Sequence, residues 1–376
     1  MAYTALVYRI YPTEKQKELI EKTFGCTRFV YNQLLTIQEE RYNNGDKHLS
    51  FFDMCKHCNQ VLKKEYEWLR EVDKCSLDNA LLNLNNAYQR FFKKLSKHPK
   101  YKSKHHSQKS YTTNCTKRNI KIFENKIQLP KLGKIKAIIH RLPEPDWVLK
   151  SATLKQLSDD SYQVSIKFQY EKEVSLLQIT EETTVGLDYK SDGLYMDNNG
   201  NSPNMNHYYR LSQDNLTKRQ RKLRHKVVGS NNYNKQIKKV NKVYRHIANQ
   251  KKDFLHKEST KIAKMYNCVC IEDLNMRVMS NKGFGNGKAT MDNGYGMFIV
   301  MLDYKLSNKG GKLVKVDKWF PSSQICNCCG VIHPEMKIKN KNKHEYLNCD
   351  CGYKEQRDIN AAKNIKFEGL RVLGIA

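Results

Sequence analysis

Two closely spaced pairs of cysteines near the C-terminus constrain this chain more than any other feature. Cys326 and Cys329 form a C-x-x-C, and Cys349 and Cys351 form a C-x-C after nineteen intervening residues. A glycine follows each pair, Gly330 and Gly352. Glycine lets the backbone turn so that both sulfurs of a pair face one point. Four thiolates are the preferred structural ligands of tetrahedral zinc, so the spacing predicts a zinc ribbon holding a closed, structural Zn²⁺. The second knuckle is tighter than the usual C-x-x-C, which leaves Cys328, His333 and His344 as alternative ligands. Seven residues after Cys351 stands an acid, Asp358, at the head of the run INAAKNI.

The cysteines are unevenly spread: of twelve, five fall within residues 326–351. With no secretion signal in MAYTALVYRIYPTEKQ, such a cluster points to metal rather than disulfides. The same N-terminus, and the lack of any apolar run of about 18 residues, predict no membrane span and a cytoplasmic, nucleoid-associated protein. The 376 residues carry 67 Lys+Arg against 38 Asp+Glu, a formal net charge of +29. A chain so basic attracts polyanions. With 22 Tyr and 13 Phe available to stack on unpaired bases, nucleic acid is the expected partner.

Periodicity divides the chain. YTALVYRIY alternates as a strand, and Thr13 with Gln16 makes a capping-box pattern for a first helix. Further helices are expected at about 27–42, 51–70, and through Leu77, Ala80, Leu81, Leu84, Tyr88, Phe91, Phe92 and Leu95, which share one face. The basic stretch 97–114 reads as loop, and 116–172 as short strands with a turn at Asp159-Asp160. From 183 the pattern becomes α/β, with a hairpin signal at Asn199-Gly200. Residues 218–264 hold 16 Lys+Arg and 2 acids, which predicts a helix pair with one packed face and one phosphate-tracking face. The C-x-x-C at Cys55 and Cys58 has no second pair and reads as ordinary thiols; Cys268 and Cys270 alternate on a buried strand. GFGNGK at 283–288 is no Walker A loop, because Lys282 stands where that motif needs glycine; it reads as a flexible segment.

Three acids remain. Asp188 follows VGL and Glu272 follows VCI, each an apolar strand ending in a carboxylate, and Asp358 opens a helix. Each alone suits a turn, a strand end or a helix cap. Together they suit a site in which carboxylates from neighbouring elements hold two Mg²⁺ for phosphodiester cleavage. Asp273 is the alternative to Glu272, and strand alternation sends the two to opposite faces. Arg357 would suit a phosphate-bearing substrate.

With these motifs the chain resembles the TnpB (OrfB) family, transposon-encoded relatives of type V CRISPR effectors. The segments that carry the resemblance are YRIYPTEKQKELIEKTFGCTRFVYNQLL, GLDYKSDGLY, IEDLN, PSSQICNCCG, CDCGY and RDINAAKNI. It implies a multidomain α+β protein: a wedge-like β-barrel (1–12 and 116–182), a helical recognition domain (13–115), and an RNase H-like RuvC nuclease domain (183–320 and 353–376). A zinc ribbon (321–352) would be inserted in the nuclease domain. It further implies a guide RNA from the transposon end, pairing with target double-stranded DNA beside a short flanking motif. Asp188, Glu272 and Asp358 would be the Mg²⁺-binding catalytic acids, and Cys326, Cys329, Cys349 and Cys351 the Zn²⁺ ligands. Neither the guide sequence nor the oligomeric state is encoded by any motif. A CRISPR effector, a non-cleaving regulator and a strand-joining transposase are the competing readings.

Overall fold

Thr13 and Gln16 close the capping box that their spacing predicts: the Thr13 N–H donates to Gln16 Oε1 at 3.0 Å, and the Gln16 N–H to Thr13 Oγ1 at 3.4 Å. The computed structural model describes residues 1–281, 287–336 and 345–375. The chain divides into two units, Met1–Lys172 and Glu173–Ala376.

In the first unit, β1 (Ala2–Tyr11) buries Leu6, Tyr8 and Ile10 on one face. The capping box then starts α1 (Glu14–Asn43), a single helix of 30 residues. Two helices were expected here, parted near Gly25. A glycine inside a helix costs only about 0.5–1 kcal/mol, and the buried stripe through Ile20, Phe24, Val30 and Leu34 runs past it. The third expected helix is α2 (Phe51–His57), which widens into a π turn at Cys58–Leu62 before α3 (Lys63–Glu65). Cys58 is buried and Cys55 half-buried, both as free thiols. Asp73 caps α4 (Lys74–Phe92), whose buried face holds Leu77, Ala80, Leu81, Leu84 and Tyr88. Phe92 and Leu95, expected on that face, are exposed. The helix ends at Phe92, and Lys94 turns the chain away with φ 57°.

The basic stretch expected as loop ends in a strand, β2 (Ser110–Asn114). It is followed by β3 (Lys121–Ile122), β4 (Lys126–Leu129), β5 (Gly133–Ile138), β6 (Val148–Gln156) and β7 (Tyr162–Tyr170). These and β1 form one antiparallel seven-stranded sheet in the order β2-β6-β7-β1-β5-β4-β3. The turn at Asp159-Asp160 forms as expected, with Asp160 at φ 63°.

The second unit is built on a four-stranded sheet, order β11-β10-β8-β9. Its strands are β8 (Thr184–Tyr189), β9 (Tyr195–Asp197), β10 (Cys268–Glu272) and β11 (Lys312–Val316). β8, β10 and β11 are parallel, and β9 is antiparallel to β8. The hairpin turn lies at Lys190–Leu194, closed by the Lys190 N–H on the Leu194 carbonyl. Asn199-Gly200 forms a second tight turn, directly after β9: the Gly200 N–H donates to the Asp197 carbonyl and the Asp197 N–H to the Asn201 carbonyl, Gly200 stands at φ 82°, and the Asp197 carboxylate gathers the N–H groups of Asn199 and Asn201.

Helices α5 (Tyr208–Arg224) and α6 (Asn231–Met265) are the expected basic pair, packed through Leu216, Val240, Val243 and Ile247. Then come α7 (Met276–Met279), α8 (Gly287–Asn293) and α9 (Tyr295–Lys309). Residues 283–286 of the glycine-rich segment lie outside the described residues. After β11 the chain forms two cysteine knuckles and a small hairpin, β12 (Tyr346–Asn348) with β13 (Lys354–Gln356), before α10 (Arg357–Val372). Among the described residues no helix is long and apolar enough to cross a membrane.

Candidate active site and metal centre

Register brings the first two acids together. In the parallel pair, Gly186 lies beside Cys270 and Leu187 beside Ile271, so Asp188 and Glu272 emerge as neighbours at the C-terminal ends of β8 and β10. Apolar residues before each acid are fully buried: Val185, Leu187, Val269 and Ile271. Alternation sends the two adjacent acids to different surroundings. Asp273 is exposed and paired with Lys315 Nζ at 2.8 Å, while Glu272 is half-buried.

Helix α10 delivers the third acid. A Cβ on Gly186 would stand 2.1 Å from the Ala362 carbonyl oxygen, and one on Gly369 would stand 2.2 Å from Cys270 Sγ. Only glycine at these two positions lets the helix lie against both central strands. Asp358 is one turn before Ala362, and Asp188 is two residues beyond Gly186, so the contact aims both carboxyls at the same end of the sheet. Asp358 lies in the first turn of α10 but is not its cap: Gln356 holds that position. The helix N-terminus favours a negative charge there.

The electrostatics reflect this convergence. Burial pushes the Asp188 carboxyl well above its ordinary range, and the charges of Glu272 and then Asp358 push it further; Arg357 pulls the other way. Burial also raises Glu272, opposed by the Ser322 hydroxyl, which donates to Glu272 Oε1 at 2.5 Å. Arg357 Nε lies 3.9 Å from Asp358 Oδ1 with its side chain largely covered. Tyr295 is buried, and its ionisation is opposed first by that burial and then by the nearby charges of Asp188 and Glu272. A cluster of carboxylates short of countercharge is a fit receptacle for hard divalent cations.

The cysteine knuckles form a second cluster. Cys326 Sγ lies 3.7 Å from Cys351 Sγ, and Cys329 Sγ lies 3.5 Å from Cys349 Sγ. All four ligand atoms fall within 4.8 Å of one another. A tetrahedron with Zn–S bonds of about 2.3 Å has S···S edges of about 3.8 Å, so the four thiols could hold zinc. Gly330 and Gly352 adopt φ 78° and 86°, the left-handed turns that their positions predict. Cys328 is exposed and outside the group, and His333 Nδ1 is engaged by Glu335 at 2.9 Å. His344 lies outside the described residues.

Four residues that sequence reasoning missed join the two clusters. Asn364 Nδ2 donates to the carbonyls of Ser322 and Ile325, and Asn360 Nδ2 to that of Ile325. Their own carbonyl oxygens accept from Asn327, at its N–H and its Nδ2. The first knuckle is thus strapped to the acid-bearing helix, while Ser322 at its entry grips Glu272. Buried asparagines four residues apart within INAAKNI are the signal that could have revealed the strap.

Family models match three segments of the chain. A "Probable transposase" model of the OrfB type matches residues 167–282, a "Helix-turn-helix domain" model of that type residues 1–47, and a "Cas12f1-like, TNB domain" model residues 295–365. A Streptomyces pristinaespiralis protein named "Putative RNA-guided DNA endonuclease" is 32% identical over 370 residues, covering 97% of this chain and 89% of its own. The Escherichia coli K12 protein "Putative RNA-guided DNA endonuclease InsQ" is 28% identical over 385 residues, covering 98% and 93%. The fold is shared with the protein in a cryo-EM structure of a Cas12f1-sgRNA-target DNA complex, at TM-score 0.62 and 13% identity over 97% of this chain and 98% of that one. Matched from end to end by such relatives, the chain belongs to the TnpB (OrfB) family.

Proposed function

We propose that this chain is an RNA-guided DNA endonuclease of a transposable element, and that Asp188, Glu272 and Asp358 are its metal-binding catalytic acids. The observation that supports the reading most is the convergence of these carboxyls: burial first, and then the charges of Glu272 and Asp358, raise the Asp188 pKa. A donor set of oxygens alone is what Mg²⁺ prefers. Two bound Mg²⁺ would activate water and stabilise the leaving oxygen of a phosphodiester. The chain's own part is to hold the carboxylates in place: β8 and β10 fix two of them, α10 the third, and the Ser322 hydroxyl orients Glu272. A bound cation would favour the carboxylate form of Asp188, because it would replace repulsion with attraction. Arg357 offers a guanidinium to the scissile phosphate.

The names of the relatives support RNA guidance and a DNA target. We assign residues 183–320 and 353–376 to a RuvC-like nuclease domain, 321–352 to a structural zinc ribbon inserted in it, 1–12 and 116–182 to a wedge, and 13–115 to recognition. The basic faces of α5 and α6 would track phosphates of the guide and target, and the protein would act in the cytoplasm at the nucleoid.

Protein purified with its RNA should cut matching double-stranded DNA in Mg²⁺, and chelation should stop it. Asp188→Ala should retain the RNA and lose cleavage; undiminished cutting by that variant rejects the assignment. Sequencing the bound RNA should return a transposon-end transcript rather than a processed CRISPR repeat.

A further inference from the structure

The loop between β11 and the first knuckle carries a large side chain that the chemistry above does not use. Trp319 is 80% exposed, whereas Trp68 and Trp147 are half-buried in their cores. The loop leaves Glu272 and returns to it. Val316 is the register partner of Glu272 and accepts the Asp273 N–H at 3.0 Å. Six residues later the Ser322 hydroxyl meets the Glu272 carboxylate. Trp319 is three residues from either anchor, so its backbone lies within about 11 Å of both.

The segment that carries the exposed indole is a structured turn. The backbone N–H of Trp319 donates to Asp317 Oδ1 at 2.7 Å, the Phe320 N–H to the Asp317 carbonyl, and the Ser322 N–H to the Phe320 carbonyl. Phe320 packs on the buried cluster of Cys268, Cys270, Val314, Val316 and Ile365, pinning the loop from beneath. Lys318 Nζ sits 5.0 Å from the indole centroid, placing a cation beside the ring. A rigid exposed aromatic next to a cation is the combination that binds unpaired nucleotides: the base stacks and the phosphate pairs.

We propose that Trp319 is a stacking platform for an unpaired base of the DNA strand presented to the three acids, with Lys318 on the adjoining phosphate. The proposal rests on the nuclease reading of the acid cluster. A strand whose phosphate lies at Glu272 carries its neighbouring bases within reach of the loop. Stacking on that base fixes which phosphate meets the acids, and it requires the strand to be locally unpaired.

The test uses the full-length protein–RNA complex and matching DNA, with 2-aminopurine placed singly at successive positions of the cut strand. A parallel arm places it in the guide RNA. Fluorescence is read in an Asp188→Ala background, which keeps the DNA intact. One or two positions beside the cut should be quenched, and Trp319→Ala should relieve that quenching severalfold while Trp319→Phe preserves part of it. With Asp188 intact, Trp319→Ala should raise KM about tenfold and spread the cut over neighbouring phosphates, with an unchanged melting temperature. DNA signals identical in both proteins, or a change confined to the guide arm, would overturn the proposal. Failure of the wild-type complex to cut would instead reject the nuclease reading beneath it.

Discussion

Gly186 on β8 and Ala362 on α10 are in backbone contact: a Cβ on the glycine would stand 2.1 Å from the Ala362 carbonyl oxygen. This contact sets how Asp358 meets Asp188. Gly186→Ala must lift the helix, since the obstructing atom is backbone and cannot rotate away. Overpacking of this kind costs about 1–3 kcal/mol or more, and a displacement near 1 Å at a reacting centre costs about a hundredfold in rate. The variant should melt several degrees lower and cleave at least about a hundredfold more slowly. Wild-type cleavage by a folded Gly186→Ala protein would show that α10 does not position the site.

Asp188 should oppose stability while it serves function. Its folded pKa is raised by burial and by Glu272 and Asp358, so the folded state holds a proton that the unfolded state has lost. That contribution is fully present below the unfolded carboxylate range, near pH 4, and is lost as pH rises through the folded value. Metal-free protein should therefore lose stability as pH climbs through this window, and Mg²⁺ should restore it. Asp188→Asn should flatten the metal-free pH dependence and raise the melting temperature at neutral pH, by roughly 2–4 °C for each kcal/mol relieved, while abolishing cleavage. Melting curves with and without Mg²⁺ from pH 4 to 8 check this.

The knuckle geometry separates ligands from bystanders. Cys351→Ser should cut bound zinc from about one per chain to a small fraction, because a closed structural site needs all four thiolates. Cys328→Ser should leave it unchanged, since Cys328 is exposed and outside the group. Asn364→Ala should keep zinc yet slow cleavage and lower the melting point, since it takes the Asn364 donor from the buried Ser322 carbonyl, at about 1–3 kcal/mol, while the Ile325 carbonyl keeps Asn360. Colorimetric zinc release on each variant distinguishes these roles.

What the sequence made legible was local. Alternation and apolar runs marked β1, β8 and β10, and the acid after each apolar strand marked Asp188 and Glu272. Knuckle spacing with its glycines marked the four thiols. What the sequence hid depended on packing and on partners elsewhere in the fold. Gly25 looks like a break until the buried stripe of α1 is seen to run past it. Ser322, Asn360 and Asn364 look like ordinary polar residues, because their hydrogen bonds span 33 to 50 positions. Gly186 and Gly369 show no special backbone angle; what demands glycine there is a helix that arrives from far along the chain.

Anomalous scattering from crystals of the protein–RNA complex grown with Mn²⁺ addresses the central claim most directly. Two peaks about 4 Å apart, ligated by Asp188, Glu272 and Asp358, are the predicted result. Mn²⁺-dependent cleavage by a complex whose metal lies elsewhere, with these three carboxylates bound to nothing, would contradict it.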